Sequence, residues 1–231
     1  MIPDLKIFIG FDSTEPAAAA VLMHSILTRA SAPLSLVPLT RKGVLGSYDR
    51  PRTATESTEF SFTRFLVPYL SGYQGWSVFM DCDMLCQCDL WELVPYILDQ
   101  KRKAVLVCHH DYVPKTAVKM DGKVQTAYPR KNWSSFMVFN NAECKALTRE
   151  YVKTASGADL HQFAWVKDEQ IGTLPLTFNW LSDEYAPNPG AEIIHYTLGG
   201  PWFRDHQNCD HADLWLRERD RMLGVPVAVA A

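Results

Sequence analysis

Short apolar runs alternate along the chain with segments of helical periodicity, and this alternation restricts the fold more than any other feature. The runs are rich in β-branched and aromatic residues, which is typical of buried strands. They lie at 5–9, 34–39, 76–80, 104–108, 136–139 and 193–196. Strands that alternate with helices predict an α/β fold in which helices flank a mostly parallel central sheet.

Four segments are predicted to be helices. The first follows Ser13-Thr14-Glu15-Pro16, where a hydroxyl can cap the helix and proline is tolerated in the first turn. Its apolar face comprises Leu22, Met23, Ile26, Leu27 and Ala30. The other helices are predicted at 61–70, with a bend at Pro68, at 142–152 and at 211–222. The polar stretch 109–132 shows no period and is predicted to be a functional loop.

Composition excludes several classes of protein. The chain has 231 residues, 47% of them hydrophobic, so one domain can bury its core without disulfides or a metal. We expect a main domain at 1–205 and a C-terminal helix and tail at 206–231. The net charge of -3 disfavours a nucleic-acid-binding protein. We find neither an apolar run of about 18 residues nor a signal-peptide pattern, which predicts a cytoplasmic protein without a membrane span.

Two carboxylates follow one of the buried strands. Asp81 and Asp83, on either side of Cys82, come directly after the apolar run 76–80. In an open α/β sheet this is the edge where ligands bind, and side chains two residues apart in an extended chain share a face. Two carboxylates on one face are suited to a hard divalent cation. About one such pair is expected by chance in this composition, so neighbouring motifs must decide.

Two classes of enzyme place such a pair after a strand. In haloacid-dehalogenase-type phosphatases the first aspartate is a nucleophile, but their motif ends in threonine or valine, where this chain has Leu85. Nucleotide-sugar transferases use the pair to bind Mn²⁺. A third interpretation, a zinc or redox protein built on the six cysteines, has the wrong spacing for a zinc finger, and reduced thiols are the better interpretation.

Several ordered motifs over residues 5–203 together resemble the family-eight retaining glycosyltransferases, which have the GT-A fold. The opening strand and acidic turn lie at 7–12, and the metal motif is Asp81-Cys82-Asp83. Phe62-Thr63-Arg64-Phe65-Leu66 is similar to the family's arginine-containing helix. The remaining motifs are the sugar-pocket strand at 133–140, the acidic pair at 168–169 and the His-Gly-Pro-Trp signature at 195–202.

The resemblance implies a glycosyltransferase that moves a hexose from a UDP-sugar to an acceptor with retention. Asp81, Asp83 and His195 would bind Mn²⁺ or Mg²⁺, although His195 alone could equally be a core histidine on a strand. Asp168 would contact hydroxyls of the donor sugar, with Glu169 near the anomeric carbon. The implied donor-binding residues are Phe8, Gly10, Asp12, Arg64, Asp81, Cys82, Asp83, Ser134, Ser135, Gly199 and Gly200.

The sequence departs from the family pattern at three positions. The last motif is one residue shorter and lacks the lysine that contacts the donor diphosphate, with Gly200 directly before Pro201. Arg64, Lys131, Arg204 or backbone amides would have to replace that lysine. Ser134 stands in place of the usual asparagine and Glu169 in place of the usual glutamine. These differences indicate a divergent branch of the family.

The departures leave a second function open, a nucleotide-sugar-binding protein that lacks transfer activity. His109, His110 and Asp111 form either a metal site or part of an acceptor-binding loop, of which we favour the loop. The acceptor would be a glycan, a lipid-linked glycan or a protein. A lipid-linked acceptor would make peripheral association with a membrane plausible.

Overall fold

The computed structural model of the protein describes residues 5–44, 46, 48–53, 56–116 and 129–225. Its strands are β1 Lys6–Gly10, β2 Ser35–Leu39, β3 Trp76–Met80, β4 Met84–Cys86, β5 Val105–Cys108, β6 Phe136–Asn140, β7 Ile171–Leu174, β8 Trp180–Leu181 and β9 Ile193–His195. The central sheet has six strands in the order β2-β1-β3-β6-β5-β7, and a smaller sheet has the order β4-β9-β8.

The central sheet is mostly parallel, as predicted. β1 runs parallel to β2 and β3, and β5 runs parallel to β7. Only β6 is reversed, because it pairs antiparallel with both β3 and β5. The carboxyl ends of β1, β3 and β5 therefore meet the start of β6 at one edge of the sheet. We call this the ligand edge, because open α/β sheets bind ligands there.

The helices only partly follow the prediction. They are α1 Pro16–Leu27, α2 Arg41–Val44, α3 Val67–Leu70, α4 Val94–Asp99, α5 Arg149–Thr154, α6 Gly157–His161 and α7 Ala212–Met222. The first and last predicted helices are confirmed as α1 and α7. The segment predicted at 61–70 is instead a 3₁₀ turn, Thr63–Leu66, that leads into α3 with Pro68 in its first turn.

The continuous helix predicted at 142–152 is wrong. The chain forms a 3₁₀ turn at Asn141–Glu143, and α5 begins only at Arg149. The side chain of Thr148 accepts a hydrogen bond from the backbone N–H of Tyr151. This contact is the N-cap geometry, which starts a new helix at that point.

The predicted hydroxyl cap of α1 is also wrong. Pro16 is the first helical residue, as expected, but the N-cap is Glu15, whose side chain makes no capping bond. The hydroxyl of Thr14 donates to Asp12 instead. On the predicted apolar face, Leu22 and Ile26 are buried, whereas Leu27 is exposed.

Three short strands were not predicted, and they shape the ligand edge. β4 follows Asp83 directly and pairs with β9, which places Met84 opposite His195. β8 pairs with β9 on its other side, and β7 forms the outer edge of the central sheet beside β5. These strands have only two to four residues, and segments that short give a weak pattern in the sequence.

The helix α7 docks on α1 through a buried carboxylate. Glu218 is 1% exposed, and its two oxygens lie 2.7 Å from Nδ1 of His24 and 2.9 Å from Nη2 of Arg29. This contact holds part of 206–225 against the main domain, although a boundary at residue 205 stays a prediction. Residues 226–231 lie outside the described residues. In the part of the chain that the structure describes, no helix reaches the length and apolarity needed to cross a bilayer.

Glu218→Gln is expected to lower the free energy of unfolding by about 1–2 kcal/mol at pH 7, because a neutral amide loses the charge-assisted bonds. Burial raises the pKa of Glu218, but the hydrogen bonds and charges of Arg29 and His24 outweigh burial and hold it below its ordinary value of 4.5. The stabilisation is therefore complete above about pH 4.5 and is lost as the pH falls through the folded-state pKa.

Urea unfolding at pH 7 and at pH 3 measures this contribution. The two proteins should differ at pH 7, and the difference should be smaller at pH 3. Asp213→Asn is the matched control, since its ion pair with Arg217 is exposed and should contribute less than about 0.5 kcal/mol. Equal stability of the Glu218 variant and the natural chain at pH 7 would contradict the expectation.

Candidate metal and donor site

The acidic pair lies in the short connection between β3 and β4, at the ligand edge. The backbone N–H of Asp81 donates to the carbonyl of Ser135, at the start of β6. Asp83 is followed by β4, and the N–H of Tyr196 donates to the carbonyl of Asp83. These backbone bonds attach both aspartates to neighbouring strands, so their side chains are held in place.

The structure brings together the three side chains predicted to bind a metal. One ligand atom from each of Asp81, Asp83 and His195 lies within 4.8 Å of the others. Nε2 of His195 is 3.4 Å from Oδ1 of Asp83. The two aspartates are each 8% exposed and the histidine 1%. We call these three residues the acidic cluster.

A hydrogen-bond network fixes the orientation of His195. Oδ1 of Asn179 lies 2.9 Å from Nδ1 of His195, and Nδ2 of Asn179 donates to Oγ of Ser135 at 2.9 Å. Ser135 in turn donates to the carbonyl of Asn132, which also accepts from Asn179. Since the amide must direct its oxygen at the imidazole, Nδ1 carries a proton, and Nε2 is the ring nitrogen that faces the carboxylates.

Arg64 is paired within the site. Its Nη1 lies 2.8 Å from Oδ1 of Asp81 and donates to the carbonyl of Ser134 at 2.8 Å. Its guanidinium carbon lies 5.1 Å from the ring centroids of both Phe60 and Phe79. Arg64 therefore compensates one carboxylate of the acidic cluster. Its predicted contact with the donor stays a prediction.

The residues of β1 and of the turn after it are mostly buried. They position the neighbouring segments and do not offer exposed groups to a ligand. Phe8 is buried in the core, so the structure does not support a direct contact between its side chain and the donor. A Cβ at Gly10 would come within 2.5 Å of the Phe60 ring, which explains the need for glycine at the end of β1. Asp12 is fully buried, and its carboxylate accepts from the N–H groups of Thr14 and Glu59.

Cys82 presents no reactive thiol to the site. Its side chain is buried, and burial, followed by the charges of Asp83, Glu15 and Asp81, raises the pKa of the thiol well above its ordinary value. The thiol is therefore protonated and a poor metal ligand. Any contact of Cys82 with a donor would have to come from its backbone.

Ser134 is bonded to a histidine that sequence reasoning missed. Its hydroxyl lies 2.8 Å from Nδ1 of His161, on α6. Burial, and then the charge of Arg64, lowers the pKa of His161 to about 3, so the ring is neutral. His161 thus holds the side chain of Ser134 in place, beside Arg64 at the ligand edge.

The turn at Gly199 and Gly200 packs against two aromatic rings. Gly199 has φ +127°, and a Cβ there would meet the ring of His206 at 2.8 Å. A Cβ at Gly200 would meet the ring of Trp202 at 2.1 Å. Nε1 of Trp202 donates to the buried carboxylate of Glu15. The glycines are needed for this packing, and their predicted contact with phosphate stays a prediction.

The structure does not bring the predicted catalytic residues to the acidic cluster. Asp168 and Glu169 precede β7, whose first residue, Ile171, pairs with Val105 at the start of β5. That is the edge of the sheet opposite the ligand edge, and the four residues of β5 between the two edges span about 13 Å at about 3.3 Å per residue. The side chain of Asp168 is 74% exposed and pairs with Arg130 at 2.7 Å. A role for these two residues at the anomeric carbon is therefore not supported.

The three cations predicted to replace the missing lysine have different environments in the structure. Arg64 is paired with Asp81, and Arg204 is exposed in a 3₁₀ turn after the signature. Lys131 is 6% exposed and directly precedes Asn132, which belongs to the network that orients His195. Arg64 therefore lies in the site itself, and of the other two candidates Lys131 lies nearer to it than Arg204.

The zinc interpretation is not supported by geometry. Among the described residues, the acidic cluster is the one group of three or more histidine, cysteine or carboxylate side chains close enough to share an ion. It contains no cysteine.

The comparisons with solved structures show the fold. The bifunctional glycosyltransferase WbbM matches with a TM-score of 0.67 and 16% identity over 97% of this chain, which spans about half (52%) of that protein. The galactosyltransferase LgtC, solved with donor and acceptor sugar analogues, matches with a TM-score of 0.60 and 12% identity over 96% of this chain and 97% of its own. GlyE of Streptococcus pneumoniae matches with a TM-score of 0.61 and 14% identity, over 96% of this chain and 62% of its own.

The chain therefore has the GT-A fold of glycosyltransferases. No family model matches the sequence. The chain is 46% identical over 224 residues to Protein CDI of Arabidopsis thaliana, across 93% of this chain and 86% of that protein. It belongs to the same family as Protein CDI.

Proposed function

We propose that this protein is a metal-dependent glycosyltransferase that moves a hexose from a UDP-sugar to an acceptor with retention of configuration. The observation that carries the proposal is the acidic cluster at the ligand edge of a GT-A fold. The ordered motifs that resemble family-eight glycosyltransferases support the same assignment. The acceptor would be a glycan, a lipid-linked glycan or a protein, and a cytoplasmic location is part of the proposal.

The acidic cluster has the chemistry of a divalent-cation site. Two ligand atoms at right angles around an ion with bonds of about 2.1 Å lie about 3 Å apart, close to the 3.4 Å between His195 and Asp83. Glu15 is also buried and acts electrostatically on Cys82, as both aspartates do. A cation offsets the cost of burying so many carboxylates together. Carboxylate oxygens with one imidazole suit Mn²⁺, and Mg²⁺ is the second candidate.

Each residue of the site has a defined part in this proposal. Asp81, Asp83 and His195 would hold the cation, Arg64 stabilises the carboxylate of Asp81, and Asn179 would keep Nε2 of His195 turned toward it. When bound, the cation supplies neutralisation of the negative charge that develops on the departing UDP. With Asp168 and Glu169 at the opposite edge, the leaving phosphate would accept the proton of the acceptor hydroxyl.

Incubation with Mn²⁺ and a panel of UDP-hexoses tests the proposal. We expect slow release of free UDP from one donor of the panel, measured by a coupled UDP assay. The release should depend on Mn²⁺ and should be abolished by EDTA. The same incubation without Mn²⁺ is the control. If the protein neither releases UDP from any donor nor binds UDP, the proposal is overturned.

A second candidate function is a nucleotide-sugar-binding protein without transfer activity. The position of Asp168 and Glu169, together with the missing diphosphate lysine, favours it. The same panel separates the two functions. Tight Mn²⁺-dependent binding of a UDP-sugar with no release of UDP, in the presence and absence of glycan acceptors, would support the binding protein.

A further inference from the structure

Three aromatic side chains pack together beside the acidic cluster. The ring centroids of His110 and Tyr112 lie 6.3 Å apart, and the ring of Tyr185 lies 5.8 Å from each of them. Tyr112 and Tyr185 are half-buried, whereas His110 is 5% exposed. We call His110, Tyr112 and Tyr185 the aromatic wall.

The aromatic wall is connected to the acidic cluster by hydrogen bonds and by chain. Nδ2 of Asn132 donates to the hydroxyl of Tyr112 at 2.7 Å, and the carbonyl of Asn132 accepts from Asn179, which orients His195. Tyr185 lies four residues after Leu181, which pairs with His195 in the smaller sheet. The wall therefore lines the same edge of the fold as the proposed metal site.

His110 has one ring nitrogen that no described residue satisfies. Its Nδ1 lies 2.8 Å from the hydroxyl of Tyr185. Its Nε2 is shielded from solvent and makes no hydrogen bond in the part of the chain that the structure describes. An unsatisfied buried polar atom is uncommon in a folded protein, because it loses its hydrogen bonds to water and gains none in return, which costs free energy. Because Nε2 of His110 lies next to a proposed active site, we infer that a ligand supplies its hydrogen-bond partner.

The chemistry around Nε2 favours a neutral group that can both donate and accept, such as a hydroxyl, over an anion. Burial, and then the charges of His195 and His109, lowers the pKa of His110 to about 3, so the ring is neutral and Nε2 either donates or accepts one hydrogen bond. A hydroxyl matches both tautomers, whereas a phosphate or carboxylate oxygen matches only one. The neighbouring acidic side chains, buried Glu184 and exposed Asp111, disfavour an anion further.

We propose that the aromatic wall is the acceptor subsite, where Tyr112 and Tyr185 pack against the apolar face of a neutral saccharide and His110 Nε2 bonds one of its hydroxyls. The inference rests on the proposed function, which it extends by naming the acceptor class and its binding residues. Aromatic surface with a few convergent polar groups is typical of such sites. Because Nε2 is shielded, side chains around it must move on binding, as rotamers at interfaces commonly do.

Binding of simple glycosides tests the proposal. The probes are the methyl glycosides of galactose, glucose, mannose, xylose and N-acetylglucosamine, each measured by saturation-transfer NMR on the full chain with and without UDP and Mn²⁺. We expect at least one glycoside to bind. His110→Phe should weaken that binding roughly tenfold or more, since it keeps the ring and removes the nitrogen. Tyr112→Ala should weaken it as well.

Calorimetry of UDP with Mn²⁺ on the same proteins separates the two proposals. His110→Phe should bind UDP as the natural chain does, and Tyr73→Phe, a tyrosine bonded to the carbonyl of Leu147, is the matched control. The subsite is overturned if no glycoside binds a chain that binds UDP, or if His110→Phe and Tyr112→Ala both bind the glycoside normally. Failure of UDP binding with retained glycoside binding would overturn the proposed donor site alone. If His110→Phe does not fold, the half-exposed Tyr112→Ala decides.

Discussion

Asp83→Asn is expected to weaken Mn²⁺-dependent binding of UDP by more than about a hundredfold. The substitution keeps the shape of the side chain but removes the charge of one of two carboxylates in the acidic cluster. Replacing a residue that only hydrogen-bonds to a metal ligand typically lowers the metal affinity 10–100-fold. Loss of the charge of a direct ligand should therefore lower it further. Titration calorimetry of UDP, with and without Mn²⁺, measures the effect.

Asp99→Asn is the matched control for this prediction. Asp99 ends α4 and is exposed, so the same chemical change there should leave UDP binding unaltered. Thermal unfolding of both variants verifies that each is folded. Undiminished Mn²⁺-dependent binding by Asp83→Asn would remove the basis for placing the cation at the acidic cluster.

Asn179→Leu is expected to lower the affinity for Mn²⁺ 10–100-fold, the usual cost of losing a side chain that orients a metal-binding histidine. Leucine has a similar size but offers no oxygen to Nδ1 of His195, so the imidazole is free to adopt the tautomer or rotation that directs an N–H at the carboxylates. Paramagnetic resonance of free Mn²⁺ measures the affinity without reference to activity.

Ser135→Ala provides the graded comparison. It removes the hydroxyl that bonds Nδ2 of Asn179 but leaves Oδ1 facing His195, so a smaller loss, of a few fold, is expected. An affinity for Mn²⁺ that is the same in Asn179→Leu and in the natural chain would show that the network does not position His195 for a metal.

Local patterns predicted the fold class and the position of the acidic pair. Strands β1, β3, β5 and β6 of the central sheet are runs of mainly apolar residues that are buried on both faces, and such runs can be recognised from neighbouring residues alone. The placement of Asp81 after β3 follows from the same pattern. The prediction of one helix at 142–152 was wrong because of Thr148. Its side chain accepts a hydrogen bond from the N–H of Tyr151, and this cap starts a separate helix at Arg149.

Asp168 and Glu169 were predicted to be catalytic from the order of motifs along the chain. That order does not specify how far apart the motifs lie in the folded protein. Asp168 and Glu169 stand in the expected sequence position, but β7 begins at Ile171, almost directly after them. They therefore lie where that strand starts, at the edge opposite the acidic cluster. Asn179 and His161 belong to none of the motifs, and only their contacts in the folded chain reveal them.

By itself, the sequence determined six of the nine strands, that these build an α/β sheet, and that two carboxylates follow one of them, because these properties depend on residues adjacent along the chain. Tertiary structure alone decided that His195 meets Asp83, through the antiparallel pairing of β4 with β9, and that Asp168 does not. Pairing between distant strands depends on how the whole core packs, which no short window of residues contains.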